Sequence, residues 1–270
     1  MRSLALRAVV VALLASCARS AYGAVVELVP TGQFQAQGAQ VCRSLEVPAA
    51  FLVSPSPFGR PVFITTGPLM ARLLNPARIT RAEADPEVVR VDTSGPQDDF
   101  LSVRPDGDDL VVARDGLTMT LKASPPLLGD HTLEELLQAL PEYRRSAARY
   151  EPDAGAVAKL RRVTQPTELL VVFGSWCPHC AEKVPRLVRV LGDVSSAPIA
   201  VTFHGVPHEG APDPIIDELH IAGLPTAIVR RSGKEVARME GDGWLAPERT
   251  LSTLIATPAR APEGQSLKPH

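Results

Sequence analysis

The chain has 270 residues, 45% of them apolar, with 28 basic and 30 acidic side chains and a formal charge of −2. That length can bury a substantial core, and the near-neutral balance without long one-sign runs argues against a nucleic-acid surface and so predicts no nucleic-acid partner. Four cysteines in such a length exclude a disulfide-stapled scaffold. In chain order, residues 1–23 read as an export signal: Arg2 and Arg7 precede the apolar run Ala8–Ala15, which is too short to span a bilayer. Two exits are open. Leu14-Ala15-Ser16-Cys17 has the form of a lipobox, which would make Cys17 a lipidation site and give the protein a lipid anchor. Ala21-Tyr22-Gly23 would instead be a cleavage site and discard Cys17. Either exit predicts a periplasmic or cell-envelope location.

Residues 24–125 predict a β-rich domain, with strands at 25–29, 50–53, 61–65, 88–92 and 100–104. A hairpin joins Leu110–Arg114 to Leu117–Lys122 across Asp115-Gly116, a pair suited to two positive φ angles. The role of this domain is not written in its sequence; homodimer formation or partner binding is the expectation. Residues 126–152 predict a helical linker: Thr132 and Glu135 have capping-box spacing, and Pro141 ends or kinks the helix. From 153 to 257 strands and helices alternate. Asp153 caps a helix, Leu169–Phe173 is a strand buried on both faces, and a helix runs from Pro178 to Leu191. A strand at 199–204, a helix at 214–222, a hairpin across Ser232-Gly233 and a final helix from Pro247 complete the domain. Residues 258–270 read as a disordered tail.

The chemistry lies in Cys177-Pro178-His179-Cys180. Two cysteines at this spacing on the first turn of a helix can cycle between dithiol and disulfide. Cys177 falls where the strand hands over to the helix, so its sulfur meets unpaired backbone N–H groups and the positive end of the helix dipole, which favours thiolate. Cys180 lies one turn further in and can resolve a mixed disulfide. Pro178 suits the first helical position, and His179 adds positive character beside the thiolate, favouring the reduced form and so a more oxidising disulfide. No second cysteine or histidine pair completes a zinc site, and Ala181 stands where a c-type haem site needs histidine. No metal and no bound cofactor are therefore expected. Cys42 reads as a small buried hydrophobe, Trp244 as packing, and His204 and His208 as loop or strand-end residues.

Ser175-Trp176-Cys177-Pro178-His179-Cys180, after an apolar strand, resembles the active site of the thioredoxin superfamily of thiol–disulfide oxidoreductases, and its Pro-His pair matches that of the DsbA type. Pro185 stands at the place of the family's helix-kinking proline, and Leu224-Pro225-Thr226 resembles its cis-proline segment. The resemblance implies a thioredoxin-like α/β domain over 153–257, a central mixed sheet flanked by helices, preceded by the β-rich domain. It implies Cys177 and Cys180 as catalytic residues, Pro178 and His179 as tuning residues, and Trp176, Leu224 and Pro225 as a substrate-binding wall. Substrates would be cysteine-containing envelope proteins, with a membrane redox partner. Two features depart from the family. Val171 occupies the place of a buried carboxylate, and only 44 residues separate Cys180 from Pro225, too few for the inserted helical domain of the DsbA type. The direction of electron flow, oxidase or isomerase against reductase, stays open. So does a rival of another class, a non-enzymatic envelope binding or metal-handling protein that uses such a domain for docking.

Overall fold

A computed structural model describes residues 25–46, 49–94, 99–208 and 211–256. The expected signal peptide with Cys17 and the lipobox, and the expected tail at 258–270, lie outside the described residues. The chain divides into two compact units between Ser124 and Pro125.

The first unit is a single sheet of eleven strands: β1 Val25–Pro30, β2 Phe34–Ala36, β3 Gln40–Ser44, β4 Ala50–Ser54, β5 Val62–Thr65, β6 Met70–Leu73, β7 Ile79–Arg81, β8 Val89–Asp92, β9 Phe100–Asp106, β10 Asp109–Arg114 and β11 Leu117–Ala123. Their order is β2-β11-β10-β9-β6-β5-β4-β3-β1-β8-β7, and every pairing is antiparallel. The β10–β11 turn takes positive φ at both central residues, 51° at Asp115 and 80° at Gly116, as its sequence requires. Alternate residues of these strands fill the core, among them Phe51, Val53, Ile64, Val112 and Leu121 on one side and Leu28, Leu52 and Val91 on the other.

The second unit carries a five-stranded sheet in the order β12-β14-β13-β15-β16, formed by Gly129–His131, Ile199–Gly205, Thr167–Phe173, Thr226–Arg231 and Lys234–Met239 respectively. β13 pairs parallel with β14 and antiparallel with β15. Six α-helices accompany it among the described residues: α1 Leu133–Ala139, α2 Pro141–Ala148, α3 Ala154–Arg161, α4 Pro178–Asp193, α5 Pro214–Glu218 and α6 Pro247–Ala256. Thr132 closes a complete capping box with Glu135, and Asp153 Oδ1 accepts from Ala156 N at 2.8 Å to cap α3. Glu248, in the first turn of α6, accepts from Tyr150 Oη at 2.8 Å and from Asp153 N at 3.1 Å, tying the ends of two helices together. Residues 126–152, expected as a linker, place Leu136, Leu140, Tyr143 and Ala147 in the same core as β13 and α4. The helix expected over 214–222 stops at Glu218, because His220 turns to a φ of 51°.

The expected fold class requires correction. The molecule is β-rich, dominated by the eleven-stranded antiparallel sheet, which curls into a half-barrel, and 27% helical; it is not a helix-flanked thioredoxin-like α/β fold. Two physical reasons account for the difference. The first unit holds four strands more than expected (β2, β3, β6 and β7), and they join the others into one continuous sheet. In the second unit, α1, α2, α3, α4 and α6 all bury against one face of the sheet, the face of Leu169, Val171, Phe173, Ala227 and Val229. The opposite face meets α5, a helix of only five residues. His204, across from Val172 on that face, lies 3.5 Å from the α5 cap Asp213, and Arg238, across from Ile228, donates to Leu219 O just after α5.

Candidate active site

β13 is an apolar run buried through Val171, Val172 and Phe173, and its end delivers the chain to the start of α4. Gly174 and Ser175 make the turn: Cys177 N donates to Gly174 O at 3.1 Å. A side chain at 174 would be driven into the Trp176 indole, whose atoms lie 2.8 Å from where a Cβ would stand. Cys177 is then the residue that caps α4, with φ −77° and ψ 121°, and Pro178 takes the first helical position, where a missing N–H costs nothing. The backbone N–H of Cys180 points at Cys177 Sγ across 3.4 Å. The sulfur therefore occupies the place a capping oxygen would take, facing the orphan donors of the helix.

The two thiols are driven apart. Cys177 is lowered from an ordinary value near 9 to about 7. The Cys180 thiol donating to it is the largest cause, followed on the lowering side by the backbone N–H groups of Cys180 and His179 and the charge of Lys183, against the opposing effect of burial. Cys180 is raised well above the usual thiol range, first by complete burial and then by the hydrogen bond and charge of Cys177. Cys177 retains 7% of its surface in solvent and Cys180 none. The pair thus consists of a readily ionised thiol that keeps a small share of its surface in solvent and a fully shielded one.

Each expected site residue has a definite place. Pro178 and His179 are exposed; the contribution of His179 to the thiolate comes through its backbone N–H. Trp176 is half-buried. Its Nε1 donates to Val206 O at 3.2 Å and Pro207 O at 3.1 Å, and its ring stacks on His208 with centroids 5.2 Å apart. Leu224 packs against the core that contains both cysteines, and the Leu224–Pro225 peptide is cis. Thr226 pairs with Val172, so Pro225 stands opposite the end of β13 from which the cysteine turn departs. Val171 is fully buried, and no carboxylate is among the groups that act on Cys180. Cys42 lies in the first unit, 3% exposed, with burial pushing its thiol up to about 11.

Three residues play parts here that the sequence did not announce. His208 stacks on Trp176 from the segment after β14. Ser175 Oγ accepts a hydrogen bond from Leu127 N at 2.9 Å, joining the turn to a distant loop. Lys183, one turn into α4, adds its charge to the thiolate's surroundings. A Trp-His pair or a Ser-to-backbone bond between remote segments has no spacing rule that could announce it.

Comparison with known proteins adds little. No protein family's model matches the chain, and no curated protein matches it. Among solved structures, a protein of unknown function from Pseudomonas aeruginosa (PA1234) is 16% identical, with a TM-score of 0.32, covering 43% of this chain and 79% of that one. An HIV epitope-scaffold matches at 16% identity and a TM-score of 0.33 over the same shares. Likeness at this level assigns no activity.

Proposed function

We propose that this protein is a thiol–disulfide oxidoreductase acting on cysteines of cell-envelope proteins, with Cys177 as nucleophile and Cys180 as resolving residue. The observation that carries the reading is the split between the two thiols: Cys177, at about 7, caps a helix and keeps a small exposed edge, while Cys180, fully buried, is held protonated. The resemblance of the Ser175–Cys180 segment to the thioredoxin superfamily's active site supports the same chemistry. The export signal read in the sequence puts the work outside the cytoplasm, where substrate disulfides persist.

In the reducing direction Cys177 thiolate attacks one sulfur of a substrate disulfide. A mixed disulfide forms, and the other substrate sulfur leaves as a thiolate. Cys180 then gives up its proton, which goes to the departing sulfur, and attacks Cys177 Sγ. The second substrate sulfur is released as a thiol, and a Cys177–Cys180 disulfide remains. The substrate has gained two electrons and, from Cys180, one proton; its first sulfur, released as a thiolate, takes its proton from water, and a membrane redox partner restores the dithiol. The oxidising direction is the same sequence run backwards. Stabilisation of the Cys177 thiolate lowers the free energy of the reduced form and so makes the disulfide the more avid electron acceptor.

The test is catalysis of insulin reduction by dithiothreitol and of oxidative refolding of a reduced disulfide protein, with wild type, Cys177→Ser and Cys180→Ser. Turnover in wild type, abolished in Cys177→Ser, with Cys180→Ser trapping a substrate adduct, is the expected result. An inactive wild type, or full activity in Cys177→Ser, removes the proposal.

A further inference from the structure

A cavity of the first unit is remote in sequence from Cys177 and Cys180. Arg60, Arg72, Arg78, Asn75 and Asp99 line a cavity of about 340 Å³. The three arginines come from three places in the chain: the approach to β5, the β6 strand, and a short 3-10 turn at Pro76–Arg78. Their circumstances differ. Arg60 is already committed, since its Nη1 meets Asp99 Oδ2 at 2.6 Å and its Nε donates to Leu74 O at 3.2 Å. Asp99 is shared with Arg114 at 3.5 Å, and these two cations, Arg60 foremost, hold its carboxyl below the usual range.

Arg72 and Arg78 are neutralised less closely: the acid acting here is Asp92, whose carboxyl the hydrogen bonds of Ser94 lower first and the charge of Arg78 helps to lower. Among the described residues, neither has a carboxylate within ion-pair distance. Arg72 is nine-tenths buried, with its guanidinium 5.4 Å over the Phe63 ring, and its one hydrogen bond is a long one, 3.5 Å to Thr93 O. A guanidinium carries five donors, so most of its hydrogen-bonding capacity is unspent. Burial first, and then the charge of Arg78, disfavour its cationic form. A largely buried guanidinium with one long bond, its remaining donors still in reach of solvent and a second cation beside it, is an arrangement that an anion entering from solvent would complete.

We propose that this cavity binds a phosphate group. Planar guanidinium forks match the oxygens of a tetrahedral dianion in pairs, and the volume suits a small group rather than a macromolecular surface. The phosphate can arrive free, as a small ester, or as a lipid headgroup, and one experiment separates these sources.

The full reduced chain is titrated with inorganic phosphate by calorimetry, against sodium chloride of matched ionic strength, so that screening is removed from the comparison. Wild type is expected to bind one phosphate saturably. Arg78→Ala, at a half-exposed turn position whose loss the fold tolerates, weakens binding about tenfold or more, the scale of one lost charge-assisted hydrogen bond. Arg72→Met, which keeps the buried stem, weakens it likewise. In a second arm the chain is sedimented with phosphatidylcholine vesicles, with and without phosphatidic acid. Phosphatidate-dependent sedimentation lost in Arg78→Ala assigns the lipid source. Retained inorganic-phosphate binding without sedimentation assigns the soluble source. No saturable phosphate binding in wild type, or equal affinity in Arg78→Ala, overturns the proposal. The reading of the cysteine pair is independent, since alkylation of Cys177 stays the same in every one of these variants.

Discussion

Cys177 and Cys180 are chemically identical side chains one helical turn apart, and their environments assign them opposite roles. The largest lowering influence on Cys177 is the thiol of its neighbour. Cys180→Ala is therefore expected to raise the pH at which Cys177 alkylation is half-maximal above that of wild type, as followed by iodoacetamide rate against pH. An unchanged midpoint would place the effect in the helix terminus alone. The same shift couples to stability. In the reduced folded chain Cys177 surrenders its proton near pH 7, whereas the unfolded chain holds it to about 9. Between those values the unfolded state binds more protons, so stability rises with pH and is lost as pH falls through 7. Cys180, raised, opposes this only above about pH 9, where the unfolded chain ionises and the folded one does not. Urea unfolding of reduced wild type between about pH 7 and 9 is expected to show that positive slope, and Cys177→Ser to lack the Cys177 share of it.

At the scale of elements, Gly205 shows how the site is held from behind. It ends β14, opposite Phe173 of β13 and Gly129 of β12. A Cβ there would lie 2.0 Å from Leu127 O. The same Leu127 donates its N–H to Ser175 Oγ, within the cysteine turn. Gly205→Ala is expected to destabilise the protein by about 1–3 kcal/mol, the usual cost of forced overpacking, read as a lower urea midpoint with an unchanged slope. The element scale is also where the sequence was most and least legible. Asp115-Gly116 and Ser232-Gly233 announce their hairpins because only such pairs accept positive φ at both positions, and both do so here. Thr132, Asp153 and Pro178 mark helix starts for reasons equally local. The strand β3 is hidden because Arg43 and Ser44 read as surface residues, yet each is 1% exposed within the curled sheet. β2 and β7 are three residues long, too short for any alternation to register. The cysteine pair, its capping role and the proline after it were readable from neighbours along the chain. The Trp176–His208 stack and the Leu127–Ser175 bond were not, because they depend on which distant segments the sheet brings together.

For the molecule as a whole, the cores are separate. Every residue of the cluster around the cysteines lies beyond Pro125, and the clusters around Phe51 and Leu28 lie before Ser124. Residues 125–256 made alone are expected to unfold cooperatively in urea and to keep the Cys177 alkylation midpoint near 7. A fragment that fails to fold, or one whose midpoint returns to the ordinary value near 9, would mean that the first unit supplies part of the site. The expectation of a helix-flanked α/β domain behind a β-rich one failed at this scale because it counted too few of the short strands of the first unit, which resemble nothing in particular. Those strands nevertheless build the larger sheet.

The chain's two tryptophans stand in contrasting surroundings. Trp244 is sealed in the core, its Nε1 donating to Met239 O, whereas Trp176 adjoins the reactive sulfur and is stacked on an imidazole. Trp244 should emit a blue-shifted glow indifferent to redox state. Trp176 should brighten or dim as Cys177 changes between thiolate, thiol and disulfide. The molecule therefore carries a built-in optical gauge with its own internal reference: the ratio of the two emissions can be followed in a cuvette, without any dye, as electrons enter and leave.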